Sequence, residues 1–338
     1  MSILITGGLG YIGKNVVKLI HDRSEEHIVI IDNLSNSYTY NIDLLNTHLQ
    51  SKRIAIKIAD LCNYNQLESI VSEFDIKEII HFAALKSVKE SEAEPLLYYE
   101  NNLLSTINLL KICRTYKIEK FIFSSSCSVY GNINTQPIFE SSAKSPISVY
   151  GKTKLMCEKL IEESLKVLNT KFVSLRYFNP VGASQDYIFG EHSLSNEKTL
   201  FTAISDVLIE KQKYLEIYGD DYDTPDGTCI RDFVHVIDIA DGHLMAMDYD
   251  QKNQLEVFNL GSGKGYSVLE IIKSFDNELG REIPFQFSSR RKGDVEIITA
   301  DITLAKNKLN WTPKYKLKDM VKSTVNWIEI LPKYISSI

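Results

Sequence analysis

Three glycines directly after the first apolar segment constrain this chain more than any other feature. Residues 6–13 read Thr-Gly-Gly-Leu-Gly-Tyr-Ile-Gly, so Gly7, Gly10 and Gly13 recur every third residue. Glycine permits a tight strand-to-helix turn and lets a pyrophosphate approach the backbone. The following helix N-terminus offers free N–H groups and the positive end of its dipole. The motif therefore predicts a dinucleotide-binding turn, and a turn that binds nothing is the alternative.

An acid at the end of the second apolar segment supports the dinucleotide interpretation. Asp32 follows Gly13 by about twenty residues, where such units place the carboxylate that hydrogen-bonds the adenosine ribose. A carboxylate at this point also repels a 2′-phosphate. The pattern predicts NAD as the cofactor in preference to NADP.

Short apolar runs alternate with helical patterns along the chain, which predicts strands joined by helices. Continuous apolar runs are typical of a parallel sheet that is covered on both faces. The predicted strands are residues 3–6, 28–32, 54–59, 79–83, 121–124 and 172–176, and the predicted helices include 11–22, 65–73, 96–116 and 151–168. We expect an α/β fold with a doubly wound parallel sheet of the Rossmann type and a smaller α/β C-terminal substrate domain.

The pattern of turn residues changes after residue 182, which suggests a second domain. We predict an NAD-binding domain over residues 1–180, to which the chain returns at about 231–260. A substrate-binding domain is predicted over residues 181–338.

Composition excludes several classes of function. A formal net charge of −6 leaves no basic excess to neutralise the phosphates of a nucleic acid. The five cysteines match no zinc pattern and their number is odd, so we predict free thiols and no metal site. No apolar stretch approaches the length of a membrane span, and the N-terminus enters a strand at once. We therefore expect no membrane association, no signal peptide and a cytoplasmic location.

A serine, a tyrosine and a lysine are the candidate catalytic residues. Ser126 is the last of three serines, Ser124-Ser125-Ser126, at the end of the fifth predicted strand, the edge where open α/β sheets place their sites. Tyr150 and Lys154 lie four residues apart on a predicted helix and therefore share one face. An ammonium beside a phenol stabilises the phenolate, so the tyrosine can act as a base. A solvated helix face is the alternative for the Tyr-Lys pair alone.

At these residues the sequence resembles the extended short-chain dehydrogenases, and more narrowly the UDP-glucose (UDP-galactose) 4-epimerases. The resemblance covers nearly the whole chain. The matching segments are residues 6–13, 32–37, 81–88, 98–102, 121–131, 148–154, 175–183, 218–222, 226–236, 259–263 and 290–294.

The resemblance implies a role for each matching residue. The implied NAD-binding residues are Gly7, Gly10, Tyr11, Ile12, Gly13, Asp32, Asn33, Asn36, Ser37, Asp60, Leu61, Phe82, Ala83, Ala84, Lys86, Asn101, Tyr150, Lys154 and Phe178. The implied UDP-sugar-binding residues are Lys86, Ser126, Tyr150, Tyr177, Asn179, Thr199, Leu200, Ile217, Tyr218, Arg231, Arg291, Asp294 and Ile298. Guanidinium groups such as those of Arg231 and Arg291 suit a diphosphate.

The resemblance also implies a mechanism and an assembly. Tyr150 is the expected base at the sugar 4-hydroxyl, Ser126 relays the proton, and Lys154 holds the nicotinamide ribose and tunes the tyrosine. The reaction would pass through a 4-keto sugar while NAD stays tightly bound. Residues 96–116 and 151–168 would pair with the same helices of a second copy, which predicts a homodimer.

Two departures from the family pattern bear on the sugar. Thr199 stands where the family has an asparagine, and Ile298 stands where a tyrosine or cysteine is common. A UDP-N-acetylglucosamine 4-epimerase, or another nucleotide-sugar enzyme of the family, is therefore an alternative. A 4,6-dehydratase needs an Asp-Glu pair where this chain has Cys127 and Ser128. A non-catalytic NAD-binding regulator typically loses the tyrosine or lysine that this chain retains.

Overall fold

The computed structural model describes residues 1–133, 135–192, 194, 198–291 and 294–335. The strands are β1 (Ser2–Thr6), β2 (His27–Asp32), β3 (Ile54–Ile58), β4 (Ile76–His81), β5 (Lys120–Ser126), β6 (Lys171–Tyr177), β7 (Asn179–Val181), β8 (Leu215–Tyr218), β9 (Ile230–His235), β10 (Leu255–Leu260), β11 (Gly265–Ser267), β12 (Phe285–Ser288) and β13 (Ile297–Ile298). The helices are α1 (Tyr11–Arg23), α2 (Tyr40–Leu49), α3 (Tyr64–Val71), α4 (Val88–Ala93), α5 (Pro95–Tyr116), α6 (Val149–Ser164), α7 (Leu200–Leu208), α8 (Val236–Asp248), α9 (Val268–Leu279), α10 (Thr303–Leu309) and α11 (Leu317–Ile335).

Seven parallel strands form the central sheet, in the order β10-β6-β5-β4-β1-β2-β3. The strands are apolar on both sides because each face of the sheet is covered by a hydrophobic cluster. The chain leaves β1 in one direction towards β3 and then returns to β4 on the other side. Open sheets bind ligands at such a switch point, beside the carboxyl ends of the strands. The predicted α/β class and doubly wound sheet are confirmed.

The predicted elements agree with the structure in type, and several differ in extent. β5 continues to Ser126, two residues beyond the predicted end, so this serine is the last residue of the strand. β4 ends at His81, two residues early, because the N–H groups of Phe82 and Ala83 both donate to the carbonyl of Thr6. The named predictions cover α1, α3, α5 and α6, so α2, α4 and the five helices from α7 to α11 were not among them. The spacing of Leu44, Leu45 and Leu49, all buried in the core, was a usable signal for α2.

Close backbone approach explains two of the glycines in the first turn. Gly7 has φ +69°, and a Cβ atom there would lie 2.7 Å from the backbone nitrogen of Ala83. A Cβ atom on Gly13 would lie 2.4 Å from the carbonyl oxygen of Gly7. Any side chain at either residue would force the turn open.

The second half of the chain adds two small sheets, and between their strands it returns once to the large sheet. β9 pairs with β11, β13 and β7, while β8 pairs with β12. β10 extends the central sheet beside β6, and α8 packs on α1. The division into domains at residue 180 stays a prediction. Within the described residues, no helix is both long and apolar enough to cross a membrane.

Candidate active site

Two adjoining cavities lie at the carboxyl edge of the central sheet. All of the predicted cofactor-binding residues line the first cavity, from the glycine turn to Phe178. The second cavity lies between α7, β8, β9 and the segment before β13. The residues that line both cavities, and therefore mark their boundary, are Lys86, Phe178, Pro180, Glu191, His192 and Thr199.

Asp32 lies at the end of β2 with both carboxylate oxygens turned towards backbone donors. The N–H of Leu9 donates to Oδ2 at 3.1 Å, and the N–H of Leu34 donates to Oδ1 at 2.9 Å. Burial raises the pKa of Asp32, and these two bonds lower it. Because each carboxylate oxygen has a second lone pair, Asp32 can still accept from a pair of ligand hydroxyls.

Tyr150 lies in the first turn of α6, which is fastened at its N-terminus by side chains. Ser148 is the N-cap and accepts a hydrogen bond of 3.0 Å from the N–H of Gly151. The N–H of Tyr150 donates to the hydroxyl of Ser91 at 3.1 Å. A Cβ atom on Gly151 would lie 2.6 Å from the carbonyl oxygen of Ser128, so only glycine lets α6 approach the end of β5 this closely. The tyrosine is thereby brought beside Ser126.

Lys154 is buried one turn further along α6. Its Nζ donates to the carbonyl oxygen of Ser124 at 2.8 Å and lies 6.0 Å from the centre of the Tyr150 ring. Burial lowers the pKa of Lys154 to about 8, because an apolar site disfavours the ammonium. The side chain is 4% exposed, which is rare for lysine and marks it as a functional candidate.

Ser126 and Tyr150 form the other half of the candidate catalytic group. Burial raises the pKa of Tyr150 to about 12, and a side-chain hydrogen bond with Ser126 lowers it. Ser126 Oγ also donates to Ser128 Oγ at 3.1 Å and accepts from the Ser128 N–H at 3.1 Å. The three residues, Ser126, Tyr150 and Lys154, therefore share one wall of the first cavity.

The second cavity is lined largely by apolar side chains, and it contains two arginines, Arg231 and Arg291. Arg231 Nη2 lies 3.5 Å from Asp294 Oδ1, and Arg291 stacks over the ring of Tyr218 with 3.9 Å between guanidinium carbon and ring centre. The other predicted residues on this wall are Asn179, Thr199, Leu200 and Ile217. Two guanidinium groups near an aromatic ring suit a ligand with a diphosphate and a flat base.

Sequence and structure comparisons agree on the family of this chain. A family model described as GDP-mannose 4,6 dehydratase matches residues 4–324. The UDP-glucose 4-epimerase of Erwinia amylovora is 41% identical over 334 residues, 97% of each chain. That of Bacillus subtilis is 39% identical over 330 residues, 97% of this chain and 96% of its own. The chain belongs to the UDP-glucose 4-epimerase family. This family is part of the extended short-chain dehydrogenases, as the sequence resemblance predicted.

Solved structures give the same result. The UDP-glucose 4-epimerase of Bifidobacterium longum, in complex with NAD+ and UDP, superposes with a TM-score of 0.92 at 36% identity, over 98% of this chain and 99% of that one. The UDP-Glc/GlcNAc 4-epimerase of Campylobacter jejuni superposes with a TM-score of 0.83 at 36% identity, over 97% and 99%. Epimerases of this family thus share the whole fold described above.

The residues present in the first cavity fit the NAD that the family implies. Gly7, Gly10, Gly13 and Asp32 all line this cavity, and the absence of side chains at the three glycines leaves the N-terminus of α1 open to a pyrophosphate, while Asp32 would face the adenosine ribose. Gly7, Gly10 and Gly13 would hold the pyrophosphate, and Lys154 would face the nicotinamide ribose. Among the described residues, no group of three or more His, Cys, Asp or Glu is arranged to hold a metal ion.

Three predicted substrate residues line the first cavity but not the second, and one lines neither. Ser126, Tyr150 and Tyr177 line only the first. The Tyr177 hydroxyl hydrogen-bonds buried His243 Nε2 at 2.5 Å, so it is engaged in the core. Ile298 lines neither cavity and packs instead against the cluster that contains Phe178.

Sequence reasoning missed two groups of polar residues near the site. Glu191 and His192 line both cavities, although nothing in their local sequence marks them. Glu158, one turn after Lys154, accepts from Arg176 through both of its oxygens, at 2.9 and 2.7 Å. Its i+4 spacing from Lys154 was the available signal for a residue on the same face of α6.

Proposed function

We propose that this chain is an NAD-dependent UDP-glucose 4-epimerase, which interconverts UDP-galactose and UDP-glucose through a 4-keto sugar. One observation carries the proposal. The wall that bears Ser126, Tyr150 and Lys154 belongs to a dinucleotide cavity that adjoins a second cavity containing Arg231 and Arg291. A sugar held by its diphosphate in the second cavity reaches the tyrosine across this boundary.

Tyr150, as the phenolate, removes the proton from the sugar 4-hydroxyl, and Ser126 hydrogen-bonds the same oxygen. In the chain alone burial keeps the pKa of Tyr150 near 12, so positive charge must lower it. The Lys154 ammonium, 6.0 Å from the phenol ring, supplies part of that charge. NAD, when bound, supplies the reversible oxidation and reduction at C4. The tyrosine returns the proton when the alcohol is formed again.

The stereochemical outcome depends on which face of the 4-keto sugar is reduced. The ketone has to rotate in the site before the alcohol forms again on its other face. Because the sugar is held mainly by its nucleotide, the sugar ring keeps this freedom while the diphosphate stays bound. The reaction involves no net redox change, so NAD stays with the protein between turnovers.

The sugar preference and the assembly are further parts of the proposal. Ile298 lines neither cavity, so its effect on the sugar passes through the cluster that contains Phe178; by that route it favours UDP-glucose and UDP-galactose with some tolerance for N-acetylated sugars. UDP-N-acetylglucosamine is the alternative substrate, and the Campylobacter jejuni relative is named for both kinds of sugar.

A homodimer through α5 and α6 is supported by apolar side chains that remain exposed there, such as Leu96 and Met156. The five cysteines are free thiols, which supports a reducing compartment such as the cytosol.

The deciding experiment incubates the purified protein with UDP-galactose and no added NAD, followed by chromatographic analysis for UDP-glucose. We expect conversion until an equilibrium mixture of the two sugars forms, and the same mixture when the reaction starts from UDP-glucose. A protein that carries NAD and leaves both sugars unchanged would contradict the proposal. UDP-N-acetylgalactosamine, run in parallel, measures the alternative substrate.

A further inference from the structure

A charged pair outside the catalytic group lies at the boundary of the two cavities. Lys86 Nζ lies 3.1 Å from Glu191 Oε1, and each residue lines both cavities. The lysine side chain is 43% exposed and the glutamate only 11%. A carboxylate on the wall of a site for diphosphates repels those ligands. The charge of Glu191 therefore weakens the binding of a diphosphate, and its role has to be sought in its pairing with Lys86.

Glu191 is fixed by groups other than Lys86. Trp327 Nε1 donates to its backbone oxygen at 3.2 Å, and Thr199 Oγ1 donates to its Oε2 at 3.2 Å. The preceding residue must be glycine, because a Cβ atom at Gly190 would lie 2.2 Å from the Trp327 ring. The carboxylate therefore stays in place while the long and more exposed side chain of Lys86 is free to turn.

A second lysine lies beneath the pair and also interacts with the carboxylate. Lys14 is buried in the first turn of α1, with Nζ 3.3 Å from Asn41 Oδ1 and 5.8 Å from the centre of the Trp327 ring. Burial lowers the pKa of Lys14 to about 7, while Glu191 raises it and Lys86 lowers it. When Lys86 turns away, Glu191 therefore keeps its hydrogen bond from the Thr199 hydroxyl and its electrostatic interaction with Lys14.

We propose that Glu191 takes the place of a ligand phosphate at Lys86: Lys86 pairs with Glu191 when no diphosphate is bound, and it turns away from Glu191 to an incoming diphosphate. This inference rests on the proposed function, which supplies the diphosphate ligands. Two sources share that chemistry, namely the dinucleotide in the first cavity and the nucleotide sugar in the second. Glu191 is thus a positioning residue that keeps Lys86 at the boundary and weakens diphosphate binding.

Glu191→Gln tests the proposal because glutamine has the same shape without the charge. We expect UDP to bind the NAD-loaded variant on the order of three- to tenfold more tightly in a calorimetric titration, since the competing carboxylate is gone. Uridine, which lacks the diphosphate, is expected to bind parent and variant equally. The rate at which NAD is lost on dilution forms the second arm. Slower loss of NAD with unchanged UDP affinity would show that the diphosphate that breaks the Lys86–Glu191 ion pair is that of the dinucleotide.

Glu73→Gln is the matched control. Glu73 also pairs with a lysine, Lys57, at 2.7 Å, but this pair lies on the outer surface and lines neither cavity. We expect this variant to leave UDP affinity and NAD loss unchanged. If Glu191→Gln leaves both unchanged or weakens either, or tightens uridine as much as UDP, the proposal is overturned.

A structure of the parent protein with NAD and UDP provides a test that does not depend on a variant folding. We expect Lys86 Nζ to contact a phosphate oxygen and to lie more than about 4 Å from Glu191, the limit of an ion pair. An ion pair that persists in the complex would overturn the proposal. Neither measurement needs turnover, so a parent that binds UDP without converting sugars would refute the epimerase function and leave this inference intact.

Discussion

The Nζ atom of Lys154 donates a 2.8 Å hydrogen bond to the carbonyl oxygen of Ser124. This bond ties helix α6 to the end of strand β5, and Ser126 is the last residue of the same strand. One contact between helix and strand therefore sets the separation of the lysine, the tyrosine and the serine. We therefore expect the lysine to have two functions, as a positive charge near the phenol and as a link between helix α6 and strand β5.

Replacing the tyrosine hydroxyl is expected to stop catalysis without loss of cofactor. Tyr150→Phe keeps the ring and removes only the acid–base group, so we expect conversion of UDP-galactose to fall at least about 10³-fold while NAD stays bound. Ser126→Ala keeps the base and is expected to cost on the order of 10²-fold. Turnover is measured by product analysis and NAD by absorbance of the released cofactor. Near-normal activity of the phenylalanine variant would refute the mechanism.

Lys154→Met is expected to make the protein more stable and inactive. Burial lowers the pKa of Lys154 from 10.5 to about 8, so the folded state holds the ammonium less favourably than the unfolded chain does. The buried ammonium therefore lowers the free energy of unfolding by its full amount below about pH 8. This loss of stability disappears as the pH rises towards 10.5. Lys154→Met removes this charge but also removes the hydrogen bond to Ser124. With both effects combined, we expect the free energy of unfolding at pH 7 to rise by roughly 1 kcal/mol or more.

Denaturant unfolding at pH 7 and pH 10 measures this effect. The difference between Lys154→Met and the parent is expected to shrink at the higher pH. Lys152→Met is the control, since Lys152 lies exposed on the same helix and is expected to change stability by less than about 0.5 kcal/mol. A methionine variant that is less stable than the parent at pH 7 would show that the ammonium is favourably held.

Asp32→Ala is expected to weaken NAD binding and to relax discrimination against NADP. The substitution removes acceptors for the ribose hydroxyls and the charge that repels a 2′-phosphate. It also leaves the N–H groups of Leu9 and Leu34 without their acceptor. Asp32→Asn retains one acceptor oxygen and separates the loss of charge from the loss of loop structure. Unchanged NAD affinity of the alanine variant in a direct titration would exclude a role for Asp32.

Ile298→Tyr is expected to reduce activity on UDP-N-acetylgalactosamine and to spare UDP-galactose. Ile298 packs against the cluster that contains Phe178, and Phe178 lines both cavities. Tyrosine is larger than isoleucine, so it is expected to push the Phe178 cluster towards the cavities and narrow the room beside the sugar. Every ~1.4 kcal/mol of transition-state penalty gives about a tenfold loss of rate. An unchanged ratio of the two rates would exclude Ile298 as the specificity determinant.

A homodimer is expected in solution at micromolar concentration. Leu103, Ile107 and Leu160 are only half-buried in the single chain, although they lie on the two longest helices of the first half. Burying them against a second copy would remove apolar surface from water. Leu103→Glu is expected to give monomers in light scattering, whereas Lys273→Glu at an exposed position on α9 is not. A monomeric parent would refute the dimer.

The sequence by itself determined the features whose chemistry depends on short-range spacing. The three glycines, Asp32 after the second strand, and the four-residue separation of Tyr150 and Lys154 each specify a local geometry directly. These patterns were sufficient to predict the dinucleotide-binding turn, NAD as the cofactor and the candidate catalytic group. The continuous apolar runs were sufficient to predict the parallel sheet. They work because a strand, a tight turn and one helical turn each span only a few residues.

Only the tertiary structure decided which distant segments meet. Glu191 reaches Lys86, a residue more than 100 positions earlier, because Trp327 on the last helix fixes its backbone. The meeting of distant segments also explains three other features. They are the return of β10 to the sheet, the hydrogen bond of the Tyr177 hydroxyl in the core and the position of Ile298 outside both cavities. Such contacts are set by the packing of helices and strands around a shared core. A periodic sequence shows which face of an element is buried, but it does not show which distant element packs against that face.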